Sequence, residues 1–253
     1  EMLLDNVEDP QLTALMLTMP KETDFAELFD TIEPAGIAKV REFLVESIAA
    51  YFEDRLFKLY KANRCAEYRV NGEDMAKRAL RNVCLSYLAF TDLGEKLVKA
   101  HYEQANNMTD TLAALSAATK AELECRDELL ADFEAQWYQD GLVMDKWFAL
   151  QATRPDEEVL DVVQGLLHHR SFNFNNPNRV RAVVGAFASQ NPKAFHNIDG
   201  SGYRFLVDML TKLNDSNPQV ASRLIEPLVK LSRYDGQRQT LMRRGLERLK
   251  GLD

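Results

Sequence analysis

Apolar side chains return every three or four residues along almost the whole chain, and that period permits little except helices packed on helices. Val40, Phe43, Leu44, Ile48, Phe52, Leu56 and Leu59 form the longest stripe. Leu80-Val83-Cys84-Tyr87-Leu88, Leu97-Val98-His101-Tyr102 and Leu129-Phe133-Trp137 follow it. Val180-Val183-Val184-Phe187, Leu206-Met209-Leu210-Leu213 and Val220-Leu224-Leu228-Leu231 close the series. No stretch alternates with period two, so strands are not expected.

The punctuation agrees. Asp9-Pro10, Asn176-Pro177 and Asn217-Pro218 each place a capping side chain before the residue suited to a first helical turn. Pro155 precedes Asp156, Glu157 and Glu158, negative charges where a helix start favours them. Asp199-Gly200-Ser201-Gly202 reads as a helix stop and restart. Helices of about 10 to 25 residues joined by short turns stack as antiparallel neighbours. The expected fold is therefore all-α: an irregular α/α superhelix, a solenoid of antiparallel helix pairs of the HEAT or armadillo kind. No ankyrin or tetratricopeptide consensus is visible. Nothing is Gly/Ser-rich, so residues 1–253 are expected to form one domain, with a possible seam at residues 151–155.

Charge and cysteine content narrow the function classes. The net charge of −8 disfavours nucleic-acid binding through a broadly basic surface. The charge is uneven, with twelve acidic and three basic residues from Glu122 to Asp161, then fourteen basic and seven acidic from Val162 to Asp253. A carboxylate-bearing ligand would be drawn to that last part. Cys65, Cys84 and Cys125 are odd in number, lack any CxxC pairing and lie in helical patterns, which favours buried thiols in a reducing cytoplasm. No apolar run reaches the roughly 20 residues of a membrane span.

Chemistry-bearing motifs are absent. There is no HExxH, no GxSxG and no phosphate-binding glycine loop. His168 and His169 are adjacent, so on a helix they diverge by about 100° and suit a helix end better than a shared metal ion. His101 reads as a core or boundary histidine. No catalytic or metal-ligating residue is expected within the chain. Two polar segments do stand out. In Phe172-Asn173-Phe174-Asn175-Asn176-Pro177-Asn178-Arg179-Val180-Arg181, asparagines and two arginines crowd one helix start. That is either a capped helix with solvated arginines or a polar rim facing a ligand. On the next such helix, Gln219, Ser222, Arg223 and Glu226 share a face. Arg223 could simply pair with Glu226, yet Pro227 should bend the helix there.

At these segments the sequence resembles the C-terminal domain of the bacterial M1-family aminopeptidases N, zinc metalloaminopeptidases of the alanyl type. The run from Phe172 to Asp253, beginning FNFNNPNRVRAVVGAF, is similar throughout, and NGEDMAKRALRNVCLSYLAFTD from Asn71 to Asp92 also fits. Members of that family continue as a short helical tail past the point matching Asp253. The resemblance implies a larger enzyme that removes N-terminal residues from small peptides. Its zinc ligands, GAMEN strand and catalytic tyrosine belong to a preceding thermolysin-like domain of the same polypeptide, so this segment holds no zinc and is inactive alone. It would wall off the chamber over the active site and restrict entry. The resemblance further places Arg181, Gln219 and Arg223 near the primed side of a bound peptide, and implies a cytoplasmic monomer engaging neither nucleic acid nor membrane. The alternative is an independent helical-repeat scaffold that binds a protein partner.

Overall fold

In the computed structural model, which describes residues 2–5 and 7–251, the apolar period becomes helices from end to end. In chain order these are α1 (Met2–Asp5), α2 (Pro10–Leu17), α3 (Glu22–Ala26), α4 (Pro34–Ala62), α5 (Gly72–Leu88) and α6 (Gly94–Gln104). Then come α7 (Met108–Lys120), α8 (Arg126–Trp137), α9 (Gly141–Ala152), α10 (Val159–Leu166) and α11 (Pro177–Val180). A π turn over Arg181–Gly185 leads into α12 (Ala186–Gln190), α13 (Pro192–Phe195) and α14 (Ser201–Ser216). After α15 (Pro218–Leu224) and α16 (Glu226–Val229), a 3₁₀ turn precedes α17 (Gly236–Leu249). Among the described residues no strand forms, and the sole β-type pairing is an isolated parallel bridge between Ile32 and Tyr234. No helix among them is long and apolar enough to cross a membrane.

The chain divides into two compact units, residues 1–20 with 40–133, and residues 21–39 with 134–253. One boundary falls between α2 and α3 and the other two inside α4 and α8, while residues 151–155 lie within the second unit. In the first unit α2 lies against α5, and α5, α6 and α7 lie against one another. In the second, α9 packs on the π turn and α14 on α15 and α17.

The expected caps form. Asp9 accepts from the N–H groups of Gln11 and Leu12, Asn176 from those of Asn178 and Arg179, and Asn217 from that of Val220. Two expectations shift. The helix after Pro155 starts only at Val159, because Asp156 is held by Arg154 at 2.8 Å instead of serving the helix. The long α4 buries Val45, Ala49, Leu56 and Tyr60 and leaves Val40 and Phe43 exposed, so it carries two apolar faces of which one is covered. Phe52 falls at a non-helical kink (φ −111°, ψ 15°) between the halves.

Each unit also buries a polar cluster on a histidine. In the first, Arg81 donates to the Tyr60 hydroxyl at 3.1 Å, and that hydroxyl lies 3.0 Å from His101 Nδ1. Guanidinium only donates, so Tyr60 gives its proton to Nδ1 and the imidazole keeps its own on Nε2, 4.0 Å from Asp110. In the second, His196 meets the hydroxyl of Tyr203 through Nδ1 and that of Tyr234 through Nε2, both at 2.9 Å, and stacks on Tyr234. Its carbonyl accepts from Arg238 at 2.7 Å. Burial, with Arg81 nearby, pushes the His101 pKa down to about 4 against the opposing pull of Asp110. Burial, with Arg238 nearby, pushes that of His196 down to about 3.

Close helix approaches depend on missing side chains at two places. A Cβ on Gly94 would lie 2.2 Å from the carbonyl oxygen of Ala89, and one on Gly202 would lie 2.2 Å from that of Phe195. Neither carbonyl belongs to a flexible side chain that could swing aside. Alanine would normally raise helix stability by about 0.8–1 kcal/mol. At these two positions we expect Gly94→Ala and Gly202→Ala to lower it by roughly 2–3 kcal/mol instead, read from urea midpoints. A gain in stability would show that the slots are not filled.

Both histidines are neutral in the fold and titrate near 6.5 once unfolded. Between pH 6.5 and about 4, the unfolded chain therefore holds more protons, and stability falls as the pH falls, by up to about 1.4 kcal/mol per pH unit for each histidine. Melting followed from pH 7 to 4.5 should show that decline, and His196→Phe should make it shallower, with the share of His101 remaining. A flat profile in the unsubstituted chain would contradict buried neutral imidazoles.

Candidate functional site

The two polar segments singled out in the sequence both lie in the second unit, and the structure separates their packing residues from their free ones. Asn173 closes a local turn by accepting from the N–H of Asn175, and Asn176 caps α11. Arg179 is buried. Its Nη1 lies 2.6 Å from Asp145 and 2.9 Å from the carbonyl oxygen of Gly141, and its guanidinium sits 5.3 Å from the Phe148 ring centre. It is a fastener between α9 and α11, buried through its Nη1 contacts although its Nε finds no partner among the described residues. Arg181, two residues later, is exposed and donates from Nη1 to the amide oxygen of Asn178 at 3.1 Å.

Arg181 opens the π turn, whose carbonyl accepts from the N–H of Ala186 five residues on. Sequence reasoning missed this turn. Every residue from Val183 to Ala188 is buried, and the apolar spacing of Val180, Val183, Val184 and Phe187 fits an α-helix, so the sequence carries no mark of the wider turn. The turn ends at Gly185, where an added Cβ would lie 3.2 Å from Leu224 Cδ2 and 3.7 Å from the Cβ of Arg181. The missing side chain thus lets α15 reach the turn that carries Arg181.

On α15, Val220, Ala221 and Leu224 are buried, while Gln219, Ser222 and Arg223 are exposed. The bend foreseen at Pro227 is present, with α15 stopping at Leu224 and α16 restarting at Glu226. The pairing of Arg223 with Glu226 is not. Glu226 bonds Lys230 at 2.9 Å, and that lysine holds the carboxyl below its ordinary range. Once the helix breaks, Glu226 belongs to a new helical segment whose i+4 neighbour is Lys230. Arg223 consequently has no carboxylate partner among the described residues, and neither does Arg181.

Among the described residues, neither a metal cage nor an ionised thiol accompanies these cations. Among the described residues no group of three His, Cys, Asp or Glu side chains could hold a metal ion. His169 accepts from the N–H of Ser171 on Nδ1 and meets Glu134 through Nε2 at 3.1 Å, so both ring nitrogens are engaged. Burial pushes the thiols of Cys84 and Cys125 up to about 12, aided at Cys125 by a bond to Glu95, and raises that of Cys65. These are not thiolates at neutral pH.

Comparison with known proteins places the chain in a family. The chain is 62% identical over 242 residues to aminopeptidase N of Haemophilus influenzae, covering 96% of this chain and 28% of the relative. With aminopeptidase N of Escherichia coli the identity is 58% over 253 residues, covering 99% and 29%. In each the matched region is the C-terminal part, so the chain spans under a third of the length of these relatives. Among solved structures, aminopeptidase A of Legionella pneumophila, crystallised with aspartic acid, superposes with a TM-score of 0.89 at 27% identity, covering 98% of this chain and 30% of that one. A family model described as a domain of unknown function with ARM repeats, DUF3458_C, matches residues 1–253, and the chain belongs to that family as the C-terminal helical domain found in bacterial aminopeptidases N.

Proposed function

We propose that this chain is the C-terminal wall of a zinc aminopeptidase of the M1 family that removes N-terminal residues from small peptides in the cytoplasm. The observation that carries the reading is the pair of exposed arginines, Arg181 and Arg223, left without carboxylate partners on segments that meet at Gly185 and Leu224. An exopeptidase must hold the part of the peptide beyond the scissile bond, and guanidinium groups grip carboxylates through paired hydrogen bonds. Arg181, Gln219 and Arg223 would supply those primed-side contacts. The donor sets described above do not fit zinc. In this reading the metal and the bond-breaking groups lie on a preceding thermolysin-like domain, which this segment caps and whose entry it narrows. The full-length protein acts as a monomer.

In the full-length enzyme, Arg223→Ala should lower kcat/KM for tri- and tetrapeptides about tenfold, the factor that roughly 1.4 kcal/mol of charged hydrogen bonding gives. Single-residue chromogenic amides, which have no distal carboxylate, should lose far less. An equal loss on both substrate types would refute the contact.

A second reading is favoured by exposed apolar residues on α2, where Leu12, Leu15 and Met16 face outward at helical spacing. It makes the chain a scaffold for a protein partner. An upstream coding region carrying HExxH and GAMEN excludes an independent scaffold, whereas an upstream region without them excludes the aminopeptidase.

A further inference from the structure

We infer that Asn178 is a positioning residue for Arg181, holding the guanidinium in place while leaving its positive charge uncompensated. The inference rests on the function proposed above. Asn178 is the second residue of α11 and Arg181 stands three residues later, so the two side chains share a helix face, and the amide oxygen lies 3.1 Å from Nη1. A helix start favours a carboxylate at this place, because the exposed N–H groups there carry positive character. The chain has a neutral amide instead.

Several other arginines of the same unit are tied by carboxylates, whereas Arg204, Arg223, Arg243 and Arg244 form no ion pair among the described residues. Arg154 meets Asp156, Arg170 meets Glu134, Arg179 meets Asp145, Arg233 meets Glu27 and Arg238 meets Asp235. The contrast is sharpest between neighbours. Arg179 is buried and compensated, and Arg181 is exposed and held by an amide. A carboxylate at position 178 would compete with a peptide carboxylate for the same guanidinium. An amide oxygen occupies one N–H of Nη1 and leaves the remaining donors, including the Nε and Nη2 edge, for a two-pronged grip. The backbone under Arg181 is fixed as well, since Val183, Val184 and Gly185 of its turn are buried and Ala186 bonds back to its carbonyl.

The test uses the full-length enzyme and two series of short peptides, one with a free C-terminal carboxylate and one with a C-terminal amide. The unsubstituted enzyme should prefer the free acids in KM, and Arg181→Ala should lose that preference. Asn178→Asp, which keeps an acceptor but neutralises the arginine, should cut the preference about fivefold through KM with kcat retained, the factor that roughly 1 kcal/mol gives. Asn178→Ala, which frees the side chain without neutralising it, should cut it about twofold. If Arg181→Ala loses the preference while Asn178→Asp and Asn178→Ala both keep it, the assignment of Asn178 is wrong and the proposed function stands. If Arg181→Ala and Arg223→Ala both keep the preference of the unsubstituted enzyme, or that enzyme shows none, the peptide-binding reading itself is wrong.

Discussion

A buried guanidinium or imidazole has to be given hydrogen-bond partners before it can leave water, and that requirement organises both units. In the first, Tyr60 of α4, Arg81 of α5 and His101 of α6 share one chain of hydrogen bonds, and Asp110 of α7 faces the imidazole. In the second, His196 is gripped by Tyr203 of α14 and by Tyr234, while Arg238 of α17 holds its carbonyl. Apolar stripes alone would let helices slide past one another with little change in buried area. A polar group that finds its partners in only one register restricts that freedom, because the alternatives forfeit those bonds, even though Arg81 Nε and His101 Nε2 stay buried without a partner among the described residues.

The same accounting decides which cations stay without a carboxylate. Arg179 shows the structural solution, with a carboxylate, a carbonyl and an aromatic face around one guanidinium. Arg181 and Arg223 have no such enclosure and keep their charge at the surface. The breaks in helix regularity fall beside them: a π turn begins at Arg181, and α15 stops one residue after Arg223 because Pro227 cannot continue it. Irregular turns cost stability in an ordinary helix, and here they coincide with the uncompensated charges.

Much of the fold was legible in the sequence because it follows from local rules. The period of the apolar residues gave helices, and the Asx-Pro pairs at Asp9, Asn176 and Asn217 marked three starts. What could not be read depends on contacts distant in sequence. Arg179 and Arg181 are equivalent by spacing, and only Asp145, 34 residues upstream, distinguishes the packed one from the free one. Val40 and Phe43 fit the helical period as well as Val45 and Ala49 do, and the neighbouring helices decide which face is covered. The π turn left no mark in the apolar spacing, since Val180, Val183, Val184 and Phe187 fit an α-helix. The candidate residues Arg181, Gln219 and Arg223 came from family resemblance and not from composition.

The charge asymmetry has a similar lesson. Fourteen basic residues against seven acidic ones after Val162 suggest a strong attraction for anions. Part of that excess is cancelled inside the unit by carboxylates encoded earlier, with Glu134 at Arg170, Asp145 at Arg179, Glu27 at Arg233 and Glu33 at Arg238. A pairing that spans 200 residues of sequence reads as two opposite patches until the chain is folded. What survives is a short set of exposed arginines without carboxylate partners among the described residues, in which Arg204 on α14 and Arg243 and Arg244 on α17 join Arg181 and Arg223. Of these, Arg181 flanks the glycine that admits Leu224, and Arg223 precedes that leucine in the chain. Placement at a tight helix contact, more than net charge, therefore separates a candidate binding pair from a merely solvated one.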